Sequence, residues 1–256
     1  MERSATVEWI SRVPGVAGRQ PNVRTAKDIE EALAAVGTAA RAEGSKRYLK
    51  SRMRHLGASV PQMRTEAKAA AKEVGSRRDL RALAEELWAE PIFERRACAA
   101  FLLDYRVDLL GPADIPAIKR YVGSSETWAL VDPLSADLLG HLLLAHPDAV
   151  ARLDPWTRDR DFWVRRAALL SQIQPLKAGA EFDRFAGWAD AMLGEREFFI
   201  RKAIGWVLRE AGKKRAPEVY DWLLPRAGRA SGVTIREAVK YLDPDQREAV
   251  LAARIT

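Results

Sequence analysis

The chain has 256 residues, 48% of them hydrophobic and 30% charged, so it can bury a core and is not a disordered tail. Its formal net charge of +7 and pI near 9.7 point toward a polyanionic partner. The single cysteine, Cys98, excludes an internal disulfide and a cysteine-based metal cluster, and fits a reducing compartment.

Residues 1–24 hold Pro14, Gly15, Gly18 and Pro21 with little periodicity, and read as a loose leader ahead of a single domain over 25–256. A first helix is predicted where Asp28-Ile29-Glu30-Glu31-Ala32-Leu33 begins. In the next stretch Lys46, Lys50 and Arg54 share one helix face and Leu49, Met53 and Leu56 another, with Gly57 as the stop and Val60-Pro61 as the next entry.

Further helices are predicted near 62–73, 77–88, 92–103, 112–122 and 128–145, and onward to the end, separated by Pro and Gly. No period-2 run of β-branched residues persists, and neither a phosphate-binding glycine loop nor a nucleophile elbow is present. His141 and His146 are five apart and share a helix face poorly, against a metal pair. We read no 18-residue apolar run and no apolar signal core, so a cytoplasmic protein with no membrane partner is expected.

A repeat organises the chain. Arg95-Arg96-Ala97 follows Phe93, Arg165-Arg166-Ala167 follows Phe162-Trp163, Arg201-Lys202-Ala203 follows Phe198-Phe199, and Arg236-Glu237-Ala238 is a weaker copy. The alanines lie 70, 36 and 35 residues apart, so one copy is missing between the first two. A period in the mid-thirties signals stacked helical hairpins. The absent copy falls at Trp128-Ala129-Leu130-Val131-Asp132, where an acid occupies the slot of a small apolar residue. Breaks of a local rule of this kind concentrate at functional sites.

With the copies in register, Thr127-Trp128-Ala129-Leu130-Val131-Asp132, Phe162-Trp163-Val164-Arg165-Arg166-Ala167-Ala168 and Phe198-Phe199-Ile200-Arg201-Lys202-Ala203-Ile204-Gly205-Trp206-Val207-Leu208-Arg209-Glu210 together resemble the AlkD-type DNA alkylation repair family, over about residues 48–241. The resemblance implies an all-α superhelical solenoid of about six HEAT-like helical pairs curved around duplex DNA. It implies a monofunctional DNA glycosylase that releases cationic alkylated bases, 3-methyladenine and 7-methylguanine, without drawing the base into a pocket.

Carried over position by position, the catalytic carboxylate falls on Asp132, the DNA-contacting tryptophans on Trp128 and Trp206, and the phosphate-binding arginine on Arg166. One Asp suffices for that chemistry, because a cationic base is already a good leaving group and the remaining sugar cation needs a fixed negative charge and an oriented water. No metal and no cofactor are expected, and the partner is double-stranded DNA carrying alkylated bases, bound by a monomer that joins the nucleoid when on DNA.

Arg166 sits one repeat beyond Val131 in the same column, so stacking brings it near Asp132. The recurrence of Arg95, Arg96, Arg165, Arg201 and Lys202 at one phase suggests a basic strip, with Arg209, Arg236 and Lys240 as further members. Other readings stay open. Asp132 before Pro133 also fits a helix N-cap, and proline disfavours helical geometry at the residue before it. The arginines also fit solvated charge or interhelix glue, and Trp163 is assigned to the core. A non-catalytic DNA-binding relative and a protein-binding repeat scaffold remain the alternatives to an enzyme.

Overall fold

The structure is a computed structural model that describes residues 24–254. The expected leader lies outside the described residues except for Arg24, which is tied to Glu66 at 2.7 Å and to Glu73 at 3.0 Å. Among the described residues the chain is helical, with one isolated bridge between Arg54 and Ile92.

The helix starts follow local chemistry. Helix α1 (Ala26–Val36) opens on a Thr25/Asp28 capping box and buries Ile29 and Leu33. Helix α2 (Ala39–Leu49) leads to α3 (Val60–Glu73), which opens on a Ser59/Gln62 capping box with proline in its first turn. Helix α4 (Arg77–Ala89) is capped by Ser76. Helix α5 (Phe93–Tyr105) buries ten of its residues, as befits a helix enclosed by others.

Beyond it come α6 (Ile115–Gly123), α7 (Trp128–Asp132), a π-helical segment (Pro133–Leu139) and α8 (Gly140–Ala145). A 3₁₀ segment (Pro147–Arg158) precedes α9 (Phe162–Leu170) and α10 (Ile173–Lys177). The chain continues with α11 (Asp183–Met192), α12 (Phe198–Leu223, kinked at Arg215 ahead of Pro217), α13 (Gly232–Ala238) and α14 (Pro244–Ala253).

The second members of successive hairpins pack on one another in a row: α3 on α5, α5 on the π segment, α7 and the π segment on α9, α9 on α12, and α12 on α13. This is the expected all-α repeat architecture, and the repeat markers lie along that row. Gly205 is what lets α13 come so close to α12: a Cβ there would stand 2.9 Å from the Thr234 carbonyl oxygen, which only glycine avoids.

Two expectations are corrected. Residues 46–57 are not one helix, because α2 ends at Leu49 and Lys50 turns left-handed at φ 49°. Lys46, Lys50 and Arg54 therefore do not share a face. Gly57 is no helix stop but a point of close approach, with φ 84° and the Thr38 oxygen 2.1 Å from where a Cβ would be. The buried carboxylate of Glu94 accepts the amides of Leu56 and Gly57 at 2.9 and 2.8 Å and pins this loop to α5. Trp128–Ala145 is long and apolar enough by length and composition to cross a membrane, with mean hydropathy 1.2, but 56% of it is buried within the row and it carries two aspartates.

Candidate active site

The loop before the site helix is held from several sides. Trp88 donates its indole N–H to the Ser124 hydroxyl at 2.9 Å, Arg96 donates to the Ser124 carbonyl at 2.8 Å, and Arg52 meets Glu126 at 3.2 Å. Thr127 then caps α7, its hydroxyl accepting the Ala129 amide. Asp132 makes no cap bond and sits in helical geometry at φ −64°, ψ −49°, which removes the N-cap reading.

Pro133 neither stops the chain nor unwinds it. Lacking an N–H, it cannot bond the carbonyl four residues back, and the helix responds by widening into the i→i+5 pattern of Pro133–Leu139. The Ser135 hydroxyl donates to the Val131 carbonyl within this segment. Short π segments of this kind recur at functional sites.

The Asp132 carboxylate faces Arg166 of the next repeat. Nε and Nη2 donate to Oδ1 and Oδ2 at 2.8 and 3.0 Å, and Nη1 donates to the Phe199 carbonyl at 2.6 Å. The Arg166 side chain is 2% exposed and that of Asp132 15%. Burial pushes the Asp132 carboxyl above the ordinary aspartate value, opposed by the Arg166 charge and hydrogen bonds and by Lys202. Because both oxygens accept from a guanidinium that has no acceptor of its own, the geometry suits the ionised acid.

Arg166 thus stands beside Asp132, as its repeat position requires. The resemblance sets it against a phosphate; in this structure the guanidinium is buried and turned onto the carboxylate.

Asp132 lines a groove of about 450 Å³ with Trp128, Trp206, Tyr48, Phe93 and Phe101, and with Arg64 and Asp137. Trp128 and Trp206 are both half-buried, and the Arg166 guanidinium carbon lies 6.0 Å from the Trp206 ring centre. Tyr48, 74% exposed, meets Trp128 edge-on at 6.0 Å between ring centres. The groove therefore joins a carboxylate to aromatic faces, a combination that attracts cations. Trp163, expected in the core, is half-buried and stacks in a separate cluster with Phe162 and Phe199 at 4.5 and 4.7 Å.

Tyr48, Arg64 and Asp137 are groove residues that the repeat pattern does not reveal, since none falls on the marker phase. For Asp137 the sequence offers only Pro133, which disturbs the helical period without saying which residues then share a face with Asp132.

The expected basic strip divides into two sets. Arg96, Arg165 and Arg201 each reach back six residues to a loop carbonyl, those of Glu90, Asp159 and Glu195, at 3.3, 2.7 and 2.7 Å. Arg165 also clasps Glu195 of the following loop at 2.7 Å, and Arg95 binds Glu30 at 3.0 Å. The phase is therefore shared because these side chains staple connecting loops, the glue reading. Arg209 is half-buried against Glu237, which also takes Lys240 at 2.9 Å. Lys202, Arg236 and Lys240 are exposed, with the Lys202 ammonium 6.0 Å from the exposed Phe198 ring.

His141 Nδ1 meets the Asp104 carboxylate, the acceptor, at 2.7 Å. Among the described residues no group of three or more His, Cys, Asp or Glu is placed to hold a metal ion.

A family model described as "DNA alkylation repair enzyme" matches residues 29–242. Among solved structures, one described as a predicted DNA alkylation repair enzyme from Enterococcus faecalis superposes with a TM-score of 0.74 at 25% identity, covering 81% of this chain and 97% of that one. No curated protein matches the chain.

Proposed function

This chain belongs to the DNA alkylation repair enzyme family, and we propose that within alkylation repair it is a monofunctional glycosylase that frees 3-methyladenine and 7-methylguanine from duplex DNA. The observation that carries this reading is the Asp132 carboxylate, fixed by Arg166 in the wall of a groove that Trp128, Trp206 and other aromatic rings also line.

An alkylated purine departs with its own positive charge neutralised, so departure needs little acid catalysis. The barrier lies in the cationic deoxyribose left behind. A preorganised carboxylate costs no reorganisation at that moment and lowers the energy of the sugar cation. Indole faces favour the cationic base over normal bases by about 0.5–2 kcal/mol. Exposed Lys202, Arg236 and Lys240 supply contacts to the phosphate backbone, which position the duplex without reading its sequence.

Chromatography of bases freed from methylated duplex by the purified protein tests this reading. Both methylated purines in the soluble fraction support it, and their absence overturns it. One observation favours the second reading, a DNA-binding protein without base release: two bonds from Arg166 already offset the charge on Asp132. Salt-sensitive binding of methylated duplex with no base release, unchanged in Asp132→Asn, selects that reading instead.

A further inference from the structure

The groove holds a second carboxylate that the chemistry above leaves unused. In a regular α-helix Asp137 would point about 140° away from Asp132 around the axis. The π segment that Pro133 imposes, bonded i→i+5, instead leaves both aspartates lining one groove with Trp128 and Trp206.

The two acids differ in how their charge is met. Asp132 is clasped by two hydrogen bonds from a buried guanidinium. The Asp137 carboxylate accepts no hydrogen bond from a described residue, and its ion-pair partner, Arg64 on α3, is 4.0 Å away. Its side chain is 37% exposed, open to water in the groove. Arg64 itself is engaged over the Phe101 ring at 4.2 Å.

We infer that Asp137 is the general base of the reaction, accepting a proton from the water that attacks C1′ of the deoxyribose while Asp132 faces the sugar cation. The inference rests on the glycosylase reading of the groove. The water oxygen bonds to C1′ as the C1′–N bond breaks. The electron pair of the broken C1′–N bond passes into the purine ring and cancels the positive charge there, the base leaves neutral, and the water's proton moves to an Asp137 oxygen and then to solvent.

The surroundings suit that task. Burial, and then the charge of Asp104 on α5, push Asp137 above the ordinary aspartate value, while Arg64 on α3, His141 on α8 and Lys177 beyond it on α10 pull the other way. A carboxylate of raised pKa is the stronger base.

Single-turnover release of 7-methylguanine from methylated duplex, followed from acidic to alkaline pH, tests the assignment. Asp137→Asn should slow release about 100-fold, at the lower end of what a positioned base supplies. It should also make the fall in rate on the acid side less steep, since only the limb that Asp132 causes remains, with unfolding midpoint and duplex affinity unchanged. In Asp137→Ala, added formate should restore part of the rate. A wild-type rate in Asp137→Asn overturns the inference and leaves the glycosylase reading standing. So does a slow variant whose acid limb is as steep as the wild type's and that ignores formate. A wild type that releases no base overturns both together.

Discussion

Two neighbouring repeats occupy the same phase of the row and do opposite things with it. At residues 162–170 the marker positions hold Arg165, Arg166 and Ala167, the alanine buried flush against its neighbours. At 128–132 they hold Leu130, Val131 and Asp132, so this copy lacks its own arginine and carries an acid instead. The following repeat supplies what is missing, because stacking places Arg166 under Asp132. A repeat array can thus host a buried carboxylate by taking the countercharge from the next copy, which ties the geometry of the site to the packing of the row.

Breaking that loan should give the largest effect. Arg166→Ala strands a buried acid and should cost about 3–5 kcal/mol of stability, measured by denaturant unfolding. Asp132→Asn/Arg166→Gln should recover much of that loss, because removing both charges ends the imbalance while the shapes stay similar. A double variant no more stable than Arg166→Ala contradicts the loan.

Since burial raises the Asp132 carboxyl, its charge and any activity that needs it should disappear as pH falls through a value above the ordinary 3.8 of aspartate. A pH–rate profile of base release locates that limb, and a limb at or below 3.8 counts against a buried site.

The aromatic walls should show a smaller effect. Trp128→Ala and Trp206→Ala should each lower the preference for duplex with a cationic adduct over an uncharged one by about 0.5–2 kcal/mol, or about 2- to 30-fold. Competition binding measures the ratio, and equal losses for both duplexes would show general packing damage instead.

The smallest effects separate the two sets of basic residues. Lys202→Ala should reduce the slope of log affinity against log salt by about 1, as expected for one phosphate contact. Arg201→Ala, which removes a loop staple, should cost about 1 kcal/mol of stability and leave the slope alone. Slopes that fall alike in both variants would restore a single continuous strip.

The period of the markers made the fold legible, because residues that recur every mid-thirties must pack in one row. It also disclosed Asp132, as a residue wrong for its slot, and the nearness of Arg166. Phase alone could not tell which way a guanidinium turns. Arg165 and Arg201 staple loops and Arg166 points inward because burial and local carbonyls decide between these outcomes, and neither is written in spacing. Residues 46–57 misled because their helical spacing lost to a tertiary bond, the Glu94 carboxylate holding the Leu56 and Gly57 amides. Asp137 was hidden because a period of 3.6 residues does not describe the turn after Pro133.

We propose that the negative charge on Asp132 acts on the sugar of an alkylated nucleotide. Single-turnover release of 7-methylguanine by the wild type and by Asp132→Asn, with unfolding midpoints checked in parallel, tests it most directly. A drop of about 100- to 1,000-fold in a folded variant is the predicted result, the scale of losing one preorganised electrostatic group. Release at the wild-type rate from Asp132→Asn would contradict it.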